Sequence, residues 1–128
     1  MSTLKSTIKL ESTDLFPSPI SFTVVNNNVV NGDYSSFSTV TVGTAAQTLN
    51  VHDIDGTSGS AYCYFSAPET NAVPVFVGLG TTGTAFIRLA PGDVAFLPIG
   101  EETSPSTDLV AYTLVSTAAI SYFIGNKD

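Results

Sequence analysis

Turn-forming residues break this chain of 128 residues about every ten positions, and the segments between them are short and rich in Val, Ile, Thr, Phe and Tyr. A chain punctuated that often leaves no amphipathic helix of useful length with caps at both ends. What it can build is a set of short strands. Ile20–Val25 puts Ile20, Phe22 and Val24 on one face of the pleat, and Phe37–Val42 sets Val40 and Val42 against Thr39 and Thr41. Ala61–Ser66 alternates Ala61, Cys63 and Phe65 with Tyr62 and Tyr64, so both of its faces are expected to be covered. Thr7–Leu10, Thr48–His52, Val94–Ile99, Val110–Val115 and Ala119–Ile124 read as further strands. Val73–Leu79 and Thr84–Leu89 read as a hairpin around Gly80-Thr81-Thr82-Gly83. Turns are expected at Asn26–Asn28, Asn31–Asp33, Asp53–Gly56, Pro91-Gly92 and Ser116-Thr117.

Many short strands without crossover helices predict an all-β fold, an antiparallel β-sandwich of jelly-roll-like topology, with an immunoglobulin-like sandwich as the alternative. The absence of Trp and the single Cys remove the Cys, Trp, Cys signature of true immunoglobulin domains and favour the jelly roll. The length suits one domain, which buries roughly two thirds of its unfolded surface. Pro17 and Pro19 cannot donate to a sheet ladder, so residues 1–19 read as an N-terminal arm or first edge strand, and residues 20–128 as the sandwich domain.

Hydrophobic residues make up 43% of the chain and charged residues only 12%, so surface polarity must come from Ser, Thr and Asn. The net charge of −7, with Lys5, Lys9, Arg88 and Lys127 as the only cations, offers no basic stripe for a phosphate backbone, and nucleic acid is not expected as a partner. The apolar runs are strand-sized, so no membrane partner is expected either. Cys63 alone cannot make an internal disulfide, and the opening residues lack a basic-then-apolar signal pattern; the expectation is synthesis in a reducing cytoplasm.

Catalysis needs a positioned nucleophile, base or metal, and the chain has one His and one Cys. His52 and Asp53 are neighbours and would point to opposite faces of a strand. No nucleophile elbow is present. Asp53-Ile54-Asp55-Gly56 begins like a calcium loop, but Ser58 and Tyr64 stand where an EF-hand needs Gly and a bidentate Glu. No metal is therefore expected, with Asp53 and Asp55 the only candidate ligands. Gly78 to Gly83 has the G-x-G-x-x-G spacing of a dinucleotide loop but lies between two strands, where a hairpin is the better account. Tyr34, Tyr62, Tyr64, Tyr112 and Tyr122 are candidates either for a carbohydrate surface or for sheet packing. The expectation is a protein with no catalytic residues and no cofactor. Gly92-Asp93-Val94-Ala95-Phe96-Leu97-Pro98-Ile99-Gly100 resembles the first part of the second cupin motif, a jelly-roll strand and turn; Thr103 stands where cupin enzymes carry a metal-binding His, and the His-x-His of the first motif is missing, so the resemblance bears on fold alone.

Taken together, Leu4 to Phe22, Val40-Thr41-Val42-Gly43 to Gln47-Thr48-Leu49, Ile87 to Ile99 and Ile120-Ser121-Tyr122-Phe123-Ile124-Gly125 resemble small β-rich virion proteins of tailed, particularly marine, bacteriophages. The resemblance covers most of the chain and is one of style and segment order. It implies a non-enzymatic capsid decoration or cement protein, made in the host bacterial cytoplasm, assembled into the virion as a homotrimer and bridging copies of the major capsid protein. A tail or fibre component that binds a receptor or carbohydrate is the alternative. Contacts to neighbours are expected from the N-terminal segment through Leu4, Ile8, Leu10, Phe16, Pro17, Pro19 and Ile20.

Overall fold

The structure is a computed structural model and describes residues 2–15, 17–49, 60–80, 82–100 and 108–127. It is all-β and antiparallel: β1 (Ser2–Ser12), β2 (Ile20–Val42), β3 (Gln47–Thr48), β4 (Ser60–Ser66), β5 (Val75–Leu79), β6 (Ala85–Leu89), β7 (Val94–Gly100), β8 (Leu109–Tyr112) and β9 (Ala118–Lys127). One sheet runs β1-β2-β9-β4-β7 and the other β3-β8-β5-β6. Within the sandwich only β5 and β6 are both consecutive and adjacent; the chain otherwise passes back and forth so that its second and last strands lie side by side. That is the interleaved order of a two-sheet jelly roll rather than the A-B-E-D and C-F-G sheets of an immunoglobulin domain.

The core follows the period-two pattern. Ala61, Cys63 and Phe65 of β4 and Ile120 and Ile124 of β9 turn inward with Val42, meeting Val75, Val77, Leu89, Leu109 and Ala111 of the second sheet, all nearly or fully buried. Ala95, Leu97 and Ile99 of β7 close its side. The second sheet also covers its outer face: Phe76 stacks on Tyr112 with ring centroids 5.7 Å apart, and the Tyr112 hydroxyl accepts a hydrogen bond from Gly83 N–H at 2.9 Å. The loop that resembles a dinucleotide motif is thus the β5–β6 hairpin, with Gly80 and Gly83 at φ of 80° and 87°.

Two expected turns are strand instead. Asn26, Asn27 and Asn28 pair with Ser6, Lys5 and Leu4 of β1; a partner strand that satisfies their backbone outweighs the turn preference of the Asn side chains, which need only reach solvent. At Asn31–Asp33 the chain makes no reversal, yet the signal has a physical trace. Between Val30, opposite Lys127, and Ser35, opposite Gly125, β2 advances five residues while β9 advances two. The extra residues form an irregularity that bends a strand without ending it. β8 is shorter than expected, ending at Tyr112 and leaving Leu114 and Val115 exposed in the connection to β9.

One side chain replaces a missing stretch of backbone. Extending the pairing of Ser66 with Ser121 would bring Pro68 opposite Ala119, and proline has no N–H to give. Asn71 supplies the rung: its Nδ2 donates to Ala119 O at 2.8 Å and its Oδ1 accepts from Ala119 N–H at 2.9 Å. Asn71→Ala leaves both groups of Ala119 without this partner and is expected to cost about 1–3 kcal/mol, read as a lower midpoint in urea unfolding with an unchanged slope.

Candidate interaction site

β2 is long enough to serve two partners in succession. Val30–Val42 pairs with β9, and Ile20–Val30 pairs with β1, from Ser12 opposite Ile20 to Ser2 opposite Val30. Residues 2–12 and 20–30 therefore form a two-stranded ribbon that runs past the end of β9. Residues opposite each other share a face, so Ile8 with Val24 and Leu10 with Phe22 make one side apolar, flanked by Leu4 and Ile20. Lys5, Thr7, Lys9, Glu11 and Thr23 occupy the other side, where Lys9 pairs with Glu11 at 2.7 Å; an ion pair this exposed contributes no more than about 1 kcal/mol.

The sandwich presents a matching surface. Phe37 of β2 is opposite Phe123 of β9, Phe123 is opposite Tyr64 of β4, and Tyr64 is opposite Phe96 of β7. Four aromatic side chains thus lie in one row across the outward face of four strands. Behind them Tyr62 stacks on Phe96 with ring planes 5° apart, and on the other flank Thr39 and Ser121 share a hydroxyl hydrogen bond of 2.8 Å. Leu4–Leu10 of the ribbon and side chains from all four strands line a single groove of about 700 Å³. Its walls are unusually exposed for their type: Phe37 is 79% exposed, Val94 64% and Leu10 58%. Contiguous apolar surface of this kind marks interaction sites.

A glycine sets the root of the ribbon. A Cβ on Gly125 would lie 2.7 Å from the Phe123 ring and 3.3 Å from Val30 Cγ1. Its absence lets the Phe123 ring lie along the sheet and buried Val30 seat beside it at the bend of β2.

The expected contact residues separate. Leu4, Ile8, Leu10 and Ile20 share the apolar face of the ribbon; Pro17 and Pro19 are exposed in the connection between its strands; Phe16 lies outside the described residues. His52, Asp53, Asp55 and Thr103 also lie outside them, and among the described residues no three His, Cys, Asp or Glu side chains gather as a metal site would require. The tyrosines divide between sides: Tyr62 and Tyr64 face outward, whereas Tyr112 and Tyr122 are buried. Burial pushes the Tyr122 phenol up, with a hydrogen bond to Ser38 acting the other way. Phe22, Val24, Phe37, Phe96 and Phe123 were not among the expected site residues. For Phe37, Phe96 and Phe123 the signal is an aromatic residue on the outward side of the strand's alternation, and for Phe22 and Val24 it is the face they share with Ile20, but only the register brings the five together.

Cys63 has no accessible surface, and desolvation pushes its thiol from 9.0 up to about 12. It is neutral in the fold and unsuited to nucleophilic attack. No protein-family model, curated protein or solved structure matches this chain.

Two measurements test this geometry. Gly125→Ala forces the Phe123 ring or Val30 to move and is expected to lower stability by about 1–3 kcal/mol, with changed Phe123 ring resonances in NMR spectra. The raised Cys63 pKa favours folding below the unfolded value of 9.0, and that advantage is lost as pH rises towards about 12; wild-type stability is expected to fall through this window more steeply than that of Cys63→Ala.

Proposed function

We propose that this chain is a non-enzymatic structural protein of a tailed-bacteriophage virion, a decoration or cement protein that assembles as a homotrimer and bridges major capsid proteins. The observation that carries the reading is the groove between the ribbon and the aromatic row: a large apolar surface built from every strand of one sheet, with hydroxyl side chains beside it. Such a surface is suited to lasting contact with another protein. The sandwich behind it is a rigid mount, and a projecting ribbon is the kind of element that reaches a neighbouring subunit. The resemblance in segment order to small virion proteins supplies the type of particle, and with it a location in the virion after synthesis in the host cytoplasm.

A second reading, a tail or fibre component that binds carbohydrate, draws on the outward aromatic row, since exposed rings can stack on sugars. The buried positions of Tyr112 and Tyr122 make it the weaker of the two.

The test is sedimentation of the purified protein with heads of candidate tailed phages. The expected result is saturable binding at fixed stoichiometry, reduced at least about tenfold by Leu10→Asp, as removal of a central apolar anchor does, while circular dichroism and the thermal midpoint stay near wild type. Absence of binding to any head, together with specific retention on a glycan array, would overturn the decoration reading in favour of the second.

A further inference from the structure

The strands that end the two sheets differ in how far their outer edges are open. β3 has two residues and β6 five, and β7 carries Pro98, which has no N–H to offer. β1 has eleven residues, no proline and an unbroken register with β2, its only partner among the described residues. Brevity, proline and bulges are the usual means of closing an edge to further pairing, and β1 uses none of them.

The groove follows that edge. Seven consecutive residues, Leu4–Leu10, line it, whereas β2 contributes Phe37 and none of residues 20–30. Successive side chains of a strand point to opposite faces, so a space that meets all seven and misses their β2 partners lies alongside β1, at the backbone edge turned away from β2. Its other walls are the aromatic row, with Val94 of β7 beside it. Charge adds a second constraint. Lys5 and Lys9 are half of the cations in a chain of net charge −7, and both line the groove. They lie four residues apart on one face of β1. Lys9 holds Glu11, while Lys5 has no ion pair among the described residues.

We infer that β1 receives an added strand from a partner protein, an extended segment in which acidic residues alternate with apolar ones. Its backbone pairs with the open edge. Residues opposite each other share a face, so those facing Lys5 and Lys9 are acidic, and those facing Ser6 and Ile8 are apolar and continue the apolar side of the ribbon. A second copy of this chain is the poorer occupant. In the register that pairs the whole of two β1 strands, Lys5 of each copy faces Lys9 of the other, and like charges directly opposite are destabilising. No two of the chain's eleven Asp and Glu residues stand four positions apart, as meeting both lysines requires. Of the proposed function, only the groove's role as an interaction surface is assumed; the particle to which the partner belongs is not.

The experiment titrates the full chain with an end-blocked peptide of nine residues, alternating glutamate and valine, and with the same peptide carrying lysine for glutamate. The glutamate peptide is expected to bind with a Kd below about 1 mM, to weaken as salt is raised, and to slow hydrogen exchange at alternate amides between Leu4 and Leu10, the pattern left by a strand added to one edge. The lysine peptide is expected not to bind. In the double variant K5E/K9E the preference is expected to invert, with the glutamate peptide weakened at least about tenfold and the circular dichroism spectrum unchanged. Equal binding of the two peptides, binding that leaves exchange in β1 unaltered, or no binding of either would overturn the added strand. A chain that self-associates without peptide and protects the same amides would overturn it in favour of a second copy. Sedimentation with phage heads is read separately, so the virion reading can fail while the added strand stands, and the reverse.

Discussion

β9 is gripped along both edges, by β2 from Val30 to Val42 and by β4 from Ala61 to Ser66, and this double ladder decides what each face of the first sheet carries. Were β9 to slip by one residue, Ile120, Tyr122 and Ile124 would turn to solvent and Phe123 would enter the core. The same register aligns Ser36, Ile124, Cys63 and Leu97 inward and Phe37, Phe123, Tyr64 and Phe96 outward. Core and outer surface are therefore a single choice. The burial of Ile120 and Ile124, each worth about 1.5–3 kcal/mol, holds the aromatic row in place although the row itself buries little.

This division explains what could be read from the sequence. Alternation along one strand needs only that strand, so Ala61, Cys63 and Phe65 against Tyr62 and Tyr64 were legible, as was the β5–β6 hairpin from its glycines. The all-β class and the sandwich follow from such local signals. Register is a relation between strands distant in sequence; Phe37 and Phe123 belong to segments far apart, and nothing near either announces the other. The same limit hid Phe22, whose face was predicted but whose partner, Leu10, was placed only by the ribbon. Asn26–Asn28 misled for the opposite reason: a strong local turn preference gave way to a partner strand that the local sequence does not contain. His52, Asp53 and Asp55 lie outside the described residues, so the candidate cation loop stays a sequence expectation.

Charge is distributed in keeping with the strands. Neither the apolar side of the ribbon nor the aromatic row holds an ionisable group other than the Tyr64 phenol, while Lys9 and Glu11 neutralise each other on the far side. The groove itself is not free of charge, since Lys5 and Lys9 of the ribbon are among the residues that line it.

The rung supplied by Asn71 separates two quantities that usually go together, the length of a strand and the length of its ladder. β4 stops at Ser66, yet β9 is still hydrogen-bonded on that edge at Ala119. The backbone between Ser66 and Val75 is therefore released from sheet geometry at no loss to β9, and it accommodates Pro68 and Pro74, residues that an interior strand would reject. The crossing from one sheet to the other begins there, so a single amide side chain lets the chain leave the first sheet early while that sheet keeps its full width.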